Sequence, residues 1–497
     1  MEQRIACQVA DREVTHMKKL FDTAVQKLKY KVLREVARME YEGRLTRDIT
    51  EIPKIIMPGP KPTLRCCIYK ERAIINERIK LAVGGDDSNP NVVEVLDIAC
   101  DECPADGIKV TDSCRGCISH ACVDSCPRGA ISIVDHRATI DRSKCVECGR
   151  CLSACPYSAI RKDVRPCMSA CKVKAISMDE DQKAVIDNEK CISCGACVYK
   201  CPFGAISDKS YILEAIHILR DSEQNAKYHT YAVVAPSIYS QFVQTSVEHV
   251  VAGIKALGFH AVVEAALGAD MVAYKEAREL YEKKFLTSSC CPAFVMYVRK
   301  NFPQLADHVS HNLSPMAEIA CYLKQSDPGC KVIFIGPCIA KKAEQKWDTV
   351  RPYIDCVITF EELQALFDSR DIDITALPEE YLDNATYYGR IFARSGGLAE
   401  AVRQGLTEQE LLHTGDFEYK PISCDGLMEC RAALLKATHN KLGENFIEGM
   451  ACESGCIGGP ACLTHGPKNK ADVDAYGKLA MEKTMRSAIS VLDINTL

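Results

Sequence analysis

Residues 191–202 read CISCGACVYKCP, which sets four cysteines at the spacing C-x2-C-x2-C-x3-C and places a proline after the last one. The same spacing occurs in CVECGRCLSACP, residues 145–156. Three thiolates on one tight loop can wrap a cubane [4Fe–4S] cluster, while the cysteine before the proline binds the other cluster of a pair. A structural zinc site usually takes four ligands without this exchange. The repeat therefore predicts at least two cubane clusters.

The cysteine-rich region extends towards the amino terminus. A variant spacing, C-x2-C-x4-C-x3-C-P, covers residues 114–127, and cysteine pairs stand in IACDECP (98–104) and RPCMSACK (165–172). We expect the last cysteines to be exchanged between motifs, because the fourth cysteine of each run serves the neighbouring cluster. The expected sets are Cys114, Cys117, Cys122 and Cys155 (first set); Cys126, Cys145, Cys148 and Cys151 (second set); Cys171, Cys191, Cys194 and Cys197 (third set); and Cys100, Cys103, Cys167 and Cys201 (fourth set).

The cluster number stays open on this pattern. Cys100 and Cys103 lie outside the full motifs, and the alternative is that they are buried or free thiols. The spacing therefore predicts two to four accessory [4Fe–4S] clusters. A chain of such clusters moves single electrons between a surface docking site and a buried centre, so a buried centre is expected downstream.

Composition restricts the class of protein. The chain has 497 residues, 30 cysteines and a formal net charge of −5. The cysteines do not indicate a disulfide scaffold, which is typical of short secreted chains. No basic excess predicts nucleic-acid binding, and no apolar run approaches the roughly 18 residues that a membrane helix needs. No signal peptide is visible either. We expect a cytoplasmic monomer without nucleic-acid or membrane partners.

Five segments are expected along the chain. They are an amino-terminal helical segment (1–50), a linker and short connecting segment (51–94), a ferredoxin-like α+β domain with several [4Fe–4S] clusters (95–207), an α/β catalytic domain (208–465) and a carboxy-terminal tail (466–497). Within the α/β part, YAVVAPSIYSQF and KVIFIGPC predict buried strands, whereas SVEHVVAGIKALGF and MVAYKEARELYEKK predict helices.

Three signatures in the α/β part contain four more cysteines. They are TSSCCPAF (287–294), GPCIAKKAE (336–344) and EGMACESGCIGGPA (448–461). From about residue 230 to 465 the sequence resembles the catalytic domain of [FeFe]-hydrogenases, which carries these signatures in this order. The resemblance implies two lobes around a cofactor and a divergent monomeric subgroup with an unusual ferredoxin-like region.

The resemblance also implies an H-cluster, a [4Fe–4S] cubane bridged to a two-iron subsite with CO, cyanide and a dithiolate amine. Its cubane ligands would be Cys291, Cys338, Cys452 and Cys456, and Cys456 would also form the bridge. Lys341 resembles the residue that pairs with one cyanide, because a compact ammonium suits a small anion in a dry pocket. The remaining cofactor contacts implied by the family are Ala235, Pro236, Ser237 and Met450.

A proton route is needed beside the electron route, because clusters carry electrons only. Cys290 adjoins a ligand but cannot easily share its metal, since neighbouring side chains point apart. Glu276 and Glu279 lie three residues apart on a predicted helix, hence on one face. They resemble the two glutamates of the family's proton pathway, and Ser310 resembles the serine between them. The expected order is Cys290, Glu276, Ser310, Glu279 and solvent.

Several residues depart from the family's usual pattern. Phe294 stands where tryptophan is common, Gly336 where methionine is common, and Met316 where glutamine is usual. Ile339 and Ala340 replace small hydroxyl residues. These departures fall around the implied two-iron subsite, so its affinity, potential and oxygen sensitivity are expected to differ.

The resemblance implies a hydrogenase that catalyses 2H⁺ + 2e⁻ ⇌ H2, with ferredoxin or a similar small carrier as electron partner. Dedicated maturation enzymes would supply the two-iron subsite. The alternatives are an iron–sulfur-assembly relative, a hydrogen sensor with little turnover, and a simple polyferredoxin. Assembly relatives are expected to lack the relay cysteine, the glutamate pair and the cyanide-pairing lysine, and residues matching all of these are present here.

Overall fold

The computed structural model describes residues 20–104, 107–412, 417–490 and 492. Its α-helices are α1 (Ala24–Tyr41), α2 (Leu45–Asp48), α3 (Ile52–Ile56), α4 (Ile68–Ala82), α5 (Ala121–Asp124), α6 (Arg150–Ala154), α7 (Pro166–Ala170), α8 (Ala196–Lys200), α9 (Ile212–Asp221), α10 (Val247–Ala256), α11 (Ala265–Lys283), α12 (Pro292–Asn301), α13 (Pro315–Ser326), α14 (Ile339–Glu344), α15 (Phe360–Ser369), α16 (Tyr387–Arg390), α17 (Gly397–Glu408), α18 (Leu427–Thr438), α19 (Lys468–Lys478) and α20 (Met485–Ser490).

The strands are β1 (Val93–Val95), β2 (Gly107–Val110), β3 (Ile131–Val134), β4 (Arg137–Ile140), β5 (Ile160–Asp163), β6 (Ile176–Met178), β7 (Ala184–Ile186), β8 (Ile206–Asp208), β9 (Thr230–Val234), β10 (Ala261–Glu264), β11 (Leu286–Thr287), β12 (Lys331–Gly336), β13 (Cys356–Thr359), β14 (Pro421–Asp425) and β15 (Phe446–Met450). Short 3-10 turns complete the pattern, at residues 236–240 and 456–458 among others.

The cysteine-rich region has the α+β character that the motifs predict. Short antiparallel pairs, β2–β5, β3–β4, β6–β7 and β1–β8, alternate with helices of about one turn. Helices α6 and α8 follow Gly149 and Gly195, whose φ angles of 80° and 76° lie in the left-handed region that favours glycine. The glycine of each C-x2-C-G-x-C run therefore lets the ligand loop turn sharply into a helix.

The α/β part contains two parallel sheets, with strand orders β10-β9-β12-β13 and β11-β15-β14. The strands predicted from YAVVAPSIYSQF and KVIFIGPC are β9 and β12, and the two predicted helices are α10 and α11. Cys291, Cys338 and Cys452 each follow the carboxyl end of a parallel strand, respectively β11, β12 and β15. Ligand sites of open α/β sheets lie at this edge. Two of the signatures therefore share the carboxyl edge of the second sheet, and the third follows the carboxyl end of β12 in the first sheet.

The amino-terminal helix packs on the α/β part. Helix α1 begins with a capping box, in which the Thr23 side chain accepts from the backbone of Gln26 and the Gln26 side chain accepts in return. Its buried face contacts α15 and α4. The first 19 residues of the expected helical segment lie outside the described residues.

Residues 51–94 differ from the expected linker, because they contain α3 and α4. Ile74, Ile75 and Ile79 are buried along one side of α4. A helical stripe of apolar residues in RAIINERIKLA explains this difference, since such a stripe is stabilised by burial against neighbouring helices. Within the described residues, no helix is long and apolar enough to cross a membrane.

Candidate active site and cluster-binding loops

Two cavities in the ferredoxin-like region are lined by cysteines from different motifs. One is lined by the whole first set, including Cys155 from the following motif. The other is lined by the whole second set, including Cys126 from the preceding motif. This is the exchanged grouping that the spacing predicts. Four soft thiolates around a small apolar cavity form a donor set that fits a [4Fe–4S] cluster.

The third and fourth sets also come together. Burial, and then the neighbouring thiols Cys194, Cys191 and Cys171, raise the pKa of Cys197 well above its ordinary value. Burial raises the pKa of Cys167 to about 11, and the other members of the fourth set add to the shift. Thiols in such surroundings stay protonated unless a metal compensates the thiolate charge, so both sets fit a cluster.

A backbone hydrogen bond recurs at the last cysteine of each turn, and sequence reasoning missed it. In each case the N–H of the alanine four residues later donates to the sulfur. The pairs are Ala130 to Cys126 (3.3 Å), Ala159 to Cys155 (3.3 Å), Ala175 to Cys171 (3.2 Å) and Ala205 to Cys201 (3.2 Å). The pattern C-x3-A-I recurs at all four cysteines and could have predicted this hydrogen bond. It groups Cys171 with the last cysteines of the full motifs, although lysine replaces the proline after it. Hydrogen bonds to sulfur help to set a cluster's potential.

The four cysteines of the α/β signatures are half-buried and are electrostatic neighbours of one another, and the site that they surround is called the α/β pocket here. Cys291 and Cys338 are the N-cap residues of α12 and α14, and Cys456 begins a 3-10 turn. Burial raises the pKa of Cys338 to about 11 and that of Cys456 to about 12. Cys291 and Cys338 are close enough to raise the pKa of both Cys452 and Cys456 further. This donor set fits a cubane, because a metal cluster would stabilise thiolates that burial disfavours.

Lys341 is buried beside this pocket. Its Nζ lies 2.7 Å from Glu344 Oε2 and donates to the carbonyl oxygen of Cys290 at 3.3 Å. Burial alone would lower the pKa of Lys341, but the Glu344 carboxylate, together with the neighbouring Cys338 and Cys290, raises it. The side chain is therefore a fixed ammonium close to Cys338 and Cys290. A small anionic ligand of a cofactor would be a suitable partner.

The turn 235–237 lies next to Gly336, because Ala235 donates its N–H to the carbonyl of Ile335 at 2.9 Å. Ser237 is fully buried, and its hydroxyl oxygen has no hydrogen-bond partner among the described residues. An unpaired buried hydroxyl is costly unless a ligand accepts its proton. Ser237 and Lys341 thus fit a cofactor that carries anionic ligands beside the cubane.

The departures from the family pattern have local packing explanations. Phe294 is fully buried, and its ring occupies the space that a Cβ on Gly449 would take. A Cβ on Gly336 would lie 2.6 Å from Cε1 of Phe334, which explains why a larger residue is absent there. Met316 and Met450 are both buried. Aromatic rings therefore fill the space beside Gly449 and Gly336.

Glu276 lies fully buried on α11, close to Cys290. Burial raises the pKa of Glu276 to about 7. One carboxylate oxygen accepts from the N–H and the hydroxyl of Ser289, both at 3.3 Å, while the other has no partner among the described residues. Burial and the nearby Glu276 charge raise the pKa of the Cys290 thiol well above its ordinary value. Cys290 is thus a neutral thiol near a carboxyl that titrates close to neutrality.

The route continues from Glu276 to the surface. The Ser310 side chain lies close enough to Glu276 to oppose the rise in its pKa, and its hydroxyl donates to Glu279 Oε2 at 2.9 Å. Glu279 also accepts from Asn312 Nδ2 at 2.9 Å and from Lys283 Nζ at 2.7 Å. The structure therefore places the four predicted relay residues near one another, and the hydrogen bond from Ser310 to Glu279 joins the last two of them.

Ser289 and Asn312 were missed by sequence reasoning. Both orient the relay carboxylates, and the hydroxyl of Ser289 also donates to the carbonyl of Asn312 at 2.9 Å. The available signal for Ser289 was its position directly before Cys290.

The third set borders the α/β pocket. Cys194 is an electrostatic neighbour of both Cys291 and Cys452. A Cβ on Gly195 would lie 2.6 Å from Ile339 Cδ1 and 2.7 Å from Pro460 Cγ, so the ligand loop sits directly against the pocket wall. Cys197 and Cys167 are likewise neighbours and connect the third and fourth sets.

Three family descriptions match the chain. Residues 228–460 match the iron-only hydrogenase large subunit, C-terminal domain. Residues 113–159 match a 4Fe-4S dicluster domain, and residues 184–207 match a 4Fe-4S binding domain. The regions that match cluster-binding domains thus precede the region that matches the hydrogenase domain, which is the order that the motifs predict.

Curated relatives include hydrogenases and an assembly factor. Iron hydrogenase 1 of Clostridium pasteurianum is 28% identical over 406 residues, covering 70% of this chain and 69% of that protein. The NADP-reducing hydrogenase subunit HndD of Solidesulfovibrio fructosivorans is 29% identical over 261 residues, covering 42% and 44%. A cytosolic Fe-S cluster assembly factor of Kluyveromyces lactis is 38% identical over 96 residues, covering 19% and 20%.

Among solved structures, an [FeFe]-hydrogenase HydA described in its stepwise H-cluster assembly gives a TM-score of 0.49 at 21% identity, covering 58% of this chain and 95% of that one. An [FeFe]-hydrogenase HydA1 variant of Chlamydomonas reinhardtii gives a TM-score of 0.48 at 20% identity, with the same coverage.

Proposed function

Because this chain is a divergent iron-only hydrogenase-like protein with ferredoxin-like [4Fe–4S] domains before its hydrogenase domain, we propose that it is a hydrogenase. It interconverts H2 with two protons and two electrons. The observation that carries this proposal is the closeness of buried Cys290 and Glu276 to the hydrogen-bonded pair of Ser310 and Glu279, which together would form a route to solvent. Such a route serves proton transfer, which cluster assembly does not require.

The H-cluster, when bound, would supply the redox chemistry and the site of H–H cleavage. Cys291, Cys338, Cys452 and Cys456 would hold its cubane, and Lys341 would orient an anionic ligand. The protein's own residues move the proton. Cys290 exchanges a proton with the Glu276 carboxyl, and the Ser310 hydroxyl passes it on to Glu279 at the surface. Since the pKa of Glu276 is about 7, both of its protonation states are accessible near neutral pH.

Electrons leave or enter through the accessory clusters. In this proposal, the third set exchanges electrons with the H-cluster, and the other sets extend the chain towards ferredoxin or a similar small carrier. The protein works in the cytoplasm as a monomer, and maturation enzymes supply the two-iron subsite. We also propose that the ferredoxin-like domain begins at residue 95 and that the catalytic domain extends from residue 208 to residue 465.

A second candidate is an iron–sulfur-assembly or hydrogen-sensing relative with little turnover. It is favoured by the similarity to the assembly factor of Kluyveromyces lactis. An assembly role would leave the buried pair of Cys290 and Glu276 without a task, so the relay residues favour the enzyme.

Infrared spectroscopy of the anaerobically matured protein tests the cofactor. We expect terminal CO and cyanide bands, together with H2 evolution from a reduced dye. Protein made without maturation enzymes is the control and should lack both. Absence of these bands from the matured protein would rule out the hydrogenase.

The variant Cys290→Ala tests the relay. We expect the CO and cyanide bands to persist while turnover falls by about 10²-fold or more, because a positioned acid–base group contributes on that order. Cys321→Ala is a matched control, since Cys321 lies on α13 outside the signatures. Near-normal turnover in Cys290→Ala would contradict the relay assignment.

A further inference from the structure

Cys66 and Cys67 are adjacent thiols that the hydrogenase site does not use. Cys66 is exposed and Cys67 is half-buried. Cys67 is the N-cap residue of α4, a helix of 15 residues, and its sulfur accepts the N–H of Lys70 at 3.5 Å. This N–H, together with the side chain of Cys66, lowers the pKa of Cys67. Thiols at helix N-termini and beside cations are the reactive ones in proteins.

A buried carboxylate fixes the backbone in front of the two thiols. Glu71 is only 2% exposed, and its Oε1 accepts the N–H groups of Thr63 (2.7 Å), Leu64 and Arg65 (2.8 Å). The turn that presents Cys66 and Cys67 is therefore held in one conformation. A fixed, exposed thiol pair differs from a chance pair on a loose linker.

The thiol pair is attached to the loops of the fourth set through its two flanking cations. Arg65 lies 3.2 Å from Asp101 and 2.8 Å from Glu102, and it donates to the carbonyl of Ala99 at 3.1 Å. Lys70 forms an ion pair with Asp101 as well. Asp101 and Glu102 are the two residues between Cys100 and Cys103.

Arg65 also contacts the segment that carries Cys201, another cysteine of the fourth set. Its guanidinium lies over the ring of Phe203, 5.1 Å from the centroid, and Phe203 follows Cys201 by two residues. The residue before Cys66 thus contacts the segments that carry three of the four ligands in the fourth set. The turn that carries the thiol pair is thus packed against the ligand segments of the fourth set through Arg65 and Lys70.

We propose that Cys66 and Cys67 form a thiol–disulfide exchange site that takes electrons from the fourth set's cluster and reduces a disulfide substrate. The site rests on the proposed function, because H2 oxidation would be its electron source. The substrate class is a small or protein disulfide that can reach an exposed thiol.

The steps balance as follows. The Cys67 thiolate attacks one sulfur of the disulfide RSSR′, forming a mixed disulfide and releasing RSH once a proton is taken up. Cys66, deprotonated as it reacts, then attacks the Cys67 sulfur, releases R′SH after protonation, and leaves a disulfide between Cys66 and Cys67. Two electrons, delivered singly through the cluster, and two protons restore both thiols. With H2 as donor, the sum is H2 + RSSR′ → RSH + R′SH.

Adjacency suits this carrier role. Cα atoms of adjacent residues lie about 3.8 Å apart across a trans peptide bond, whereas those of ordinary disulfides lie about 4.4–6.8 Å apart. A disulfide between neighbours is therefore strained, and strained disulfides are readily reduced. Such a pair is suited to be opened and closed repeatedly rather than to stabilise the fold.

The test uses the matured, cluster-loaded full chain under H2 with oxidised glutathione, and measures thiol released per enzyme. The variants are Cys66→Ser and Cys67→Ser, with Cys321→Ser as the matched control. Serine is itself a favoured N-cap residue, so the second variant keeps the start of α4. We expect each variant to lose about tenfold or more of the thiol release, since exchange needs both sulfurs. H2 uptake with a viologen dye should stay within about twofold, because the dye can take electrons at other clusters.

A parallel reaction under argon, with photoreduced deazaflavin as electron source, separates the two proposals. One outcome is cysteine-dependent thiol release with photoreduced deazaflavin and no thiol release under H2. This outcome would support the exchange site and contradict hydrogenase activity. Viologen-linked H2 uptake without any cysteine-dependent thiol release would overturn the exchange site. Equal release by wild type and Cys66→Ser would overturn it too. Mass spectrometry of the oxidised protein should find a peptide with Cys66 and Cys67 joined, and two free thiols there would count against it.

Discussion

At the scale of single residues, Glu276 combines burial with incomplete hydrogen bonding. Ser289 satisfies one carboxylate oxygen, and the other faces no described partner. Desolvation therefore outweighs the opposing effect of Ser289 and the nearby Ser310 and raises the pKa of Glu276 to about 7. A carboxyl that is half protonated near neutrality can both accept and release a proton, which a surface glutamate does poorly.

Glu276→Gln should lower H2 turnover by about 10²-fold or more, because an amide cannot relay a proton. The control is Glu282→Gln, since Glu282 is exposed on the same helix. Turnover measured with a viologen dye checks the expectation. An unchanged rate in Glu276→Gln would show that protons reach the active site through other residues.

The same substitution has a consequence for stability. The folded-state pKa of Glu276 is raised from 4.5 to about 7, so the folded protein holds this proton more tightly than the unfolded chain. The free energy of unfolding should therefore fall as pH rises from about 4.5 to 7, by an amount that the linkage relation ties to the shift. Denaturant unfolding should show a smaller decrease over this window in Glu276→Gln. An identical decrease in wild type and variant would contradict the raised pKa.

At the scale of elements, a buried charge network joins α1 to the end of β8 and to the helices beside the pocket. Lys29 on α1 pairs with Asp208 and lies 2.6 Å from Glu361. Lys342 on α14 lies 2.9 Å from Asp208 and 2.8 Å from Glu362. Although burial alone would raise the pKa of Asp208, the two ammonium groups hold it well below its usual range. Lys342 follows Lys341 directly, so this network also fixes the helix that carries the pocket lysine.

Lys29→Met should lower the free energy of unfolding by about 3–5 kcal/mol, because it leaves the buried Glu361 carboxylate without a cation. The double variant Lys29→Met with Glu361→Gln should recover part of this loss, since both charges are then removed. Lys27→Met, on the same helix, should change stability by no more than about 0.5 kcal/mol. Denaturant unfolding measures all three. A double variant as unstable as the single one would show that the network does not act through charge.

At the scale of the whole molecule, the fourth cysteine set neighbours the third set, and the third set neighbours the α/β pocket. Cys194 of the third set is a neighbour of Cys291, whereas Cys148 of the second set is exposed at the surface. In the proposed electron path, the third set is the last step before the catalytic centre. The second set is one of several clusters at which an external carrier could exchange electrons with the protein.

Cys194→Ser should therefore abolish most dye-linked H2 uptake, whereas Cys148→Ser should retain a large share of it. Serine is a poor ligand for the soft iron–sulfur core, so each variant should lose one cluster by electron paramagnetic resonance. Counting clusters in the same samples controls for wider collapse of the domain. Equal losses of activity with equal cluster losses would contradict the proposed order.

The sequence by itself determined the parts whose information is local. Each cluster motif carries three ligands on one loop, and its strands and helices are short, so C-x2-C-x2-C-x3-C-P predicted the exchanged first and second sets. The α/β strands and helix α11 were predicted because apolar periodicity is also local. The four pocket cysteines were recognisable because their three signatures are short and specific.

Only the tertiary structure decided which distant segments meet. The attachment of Cys66 and Cys67 to the fourth set, and the network of Lys29, depend on side chains far apart in sequence. The orientation of Glu276 by Ser289 depends on how α11 packs beside β11. No local pattern encodes these contacts, because burial and charge compensation are properties of the assembled core rather than of any one segment.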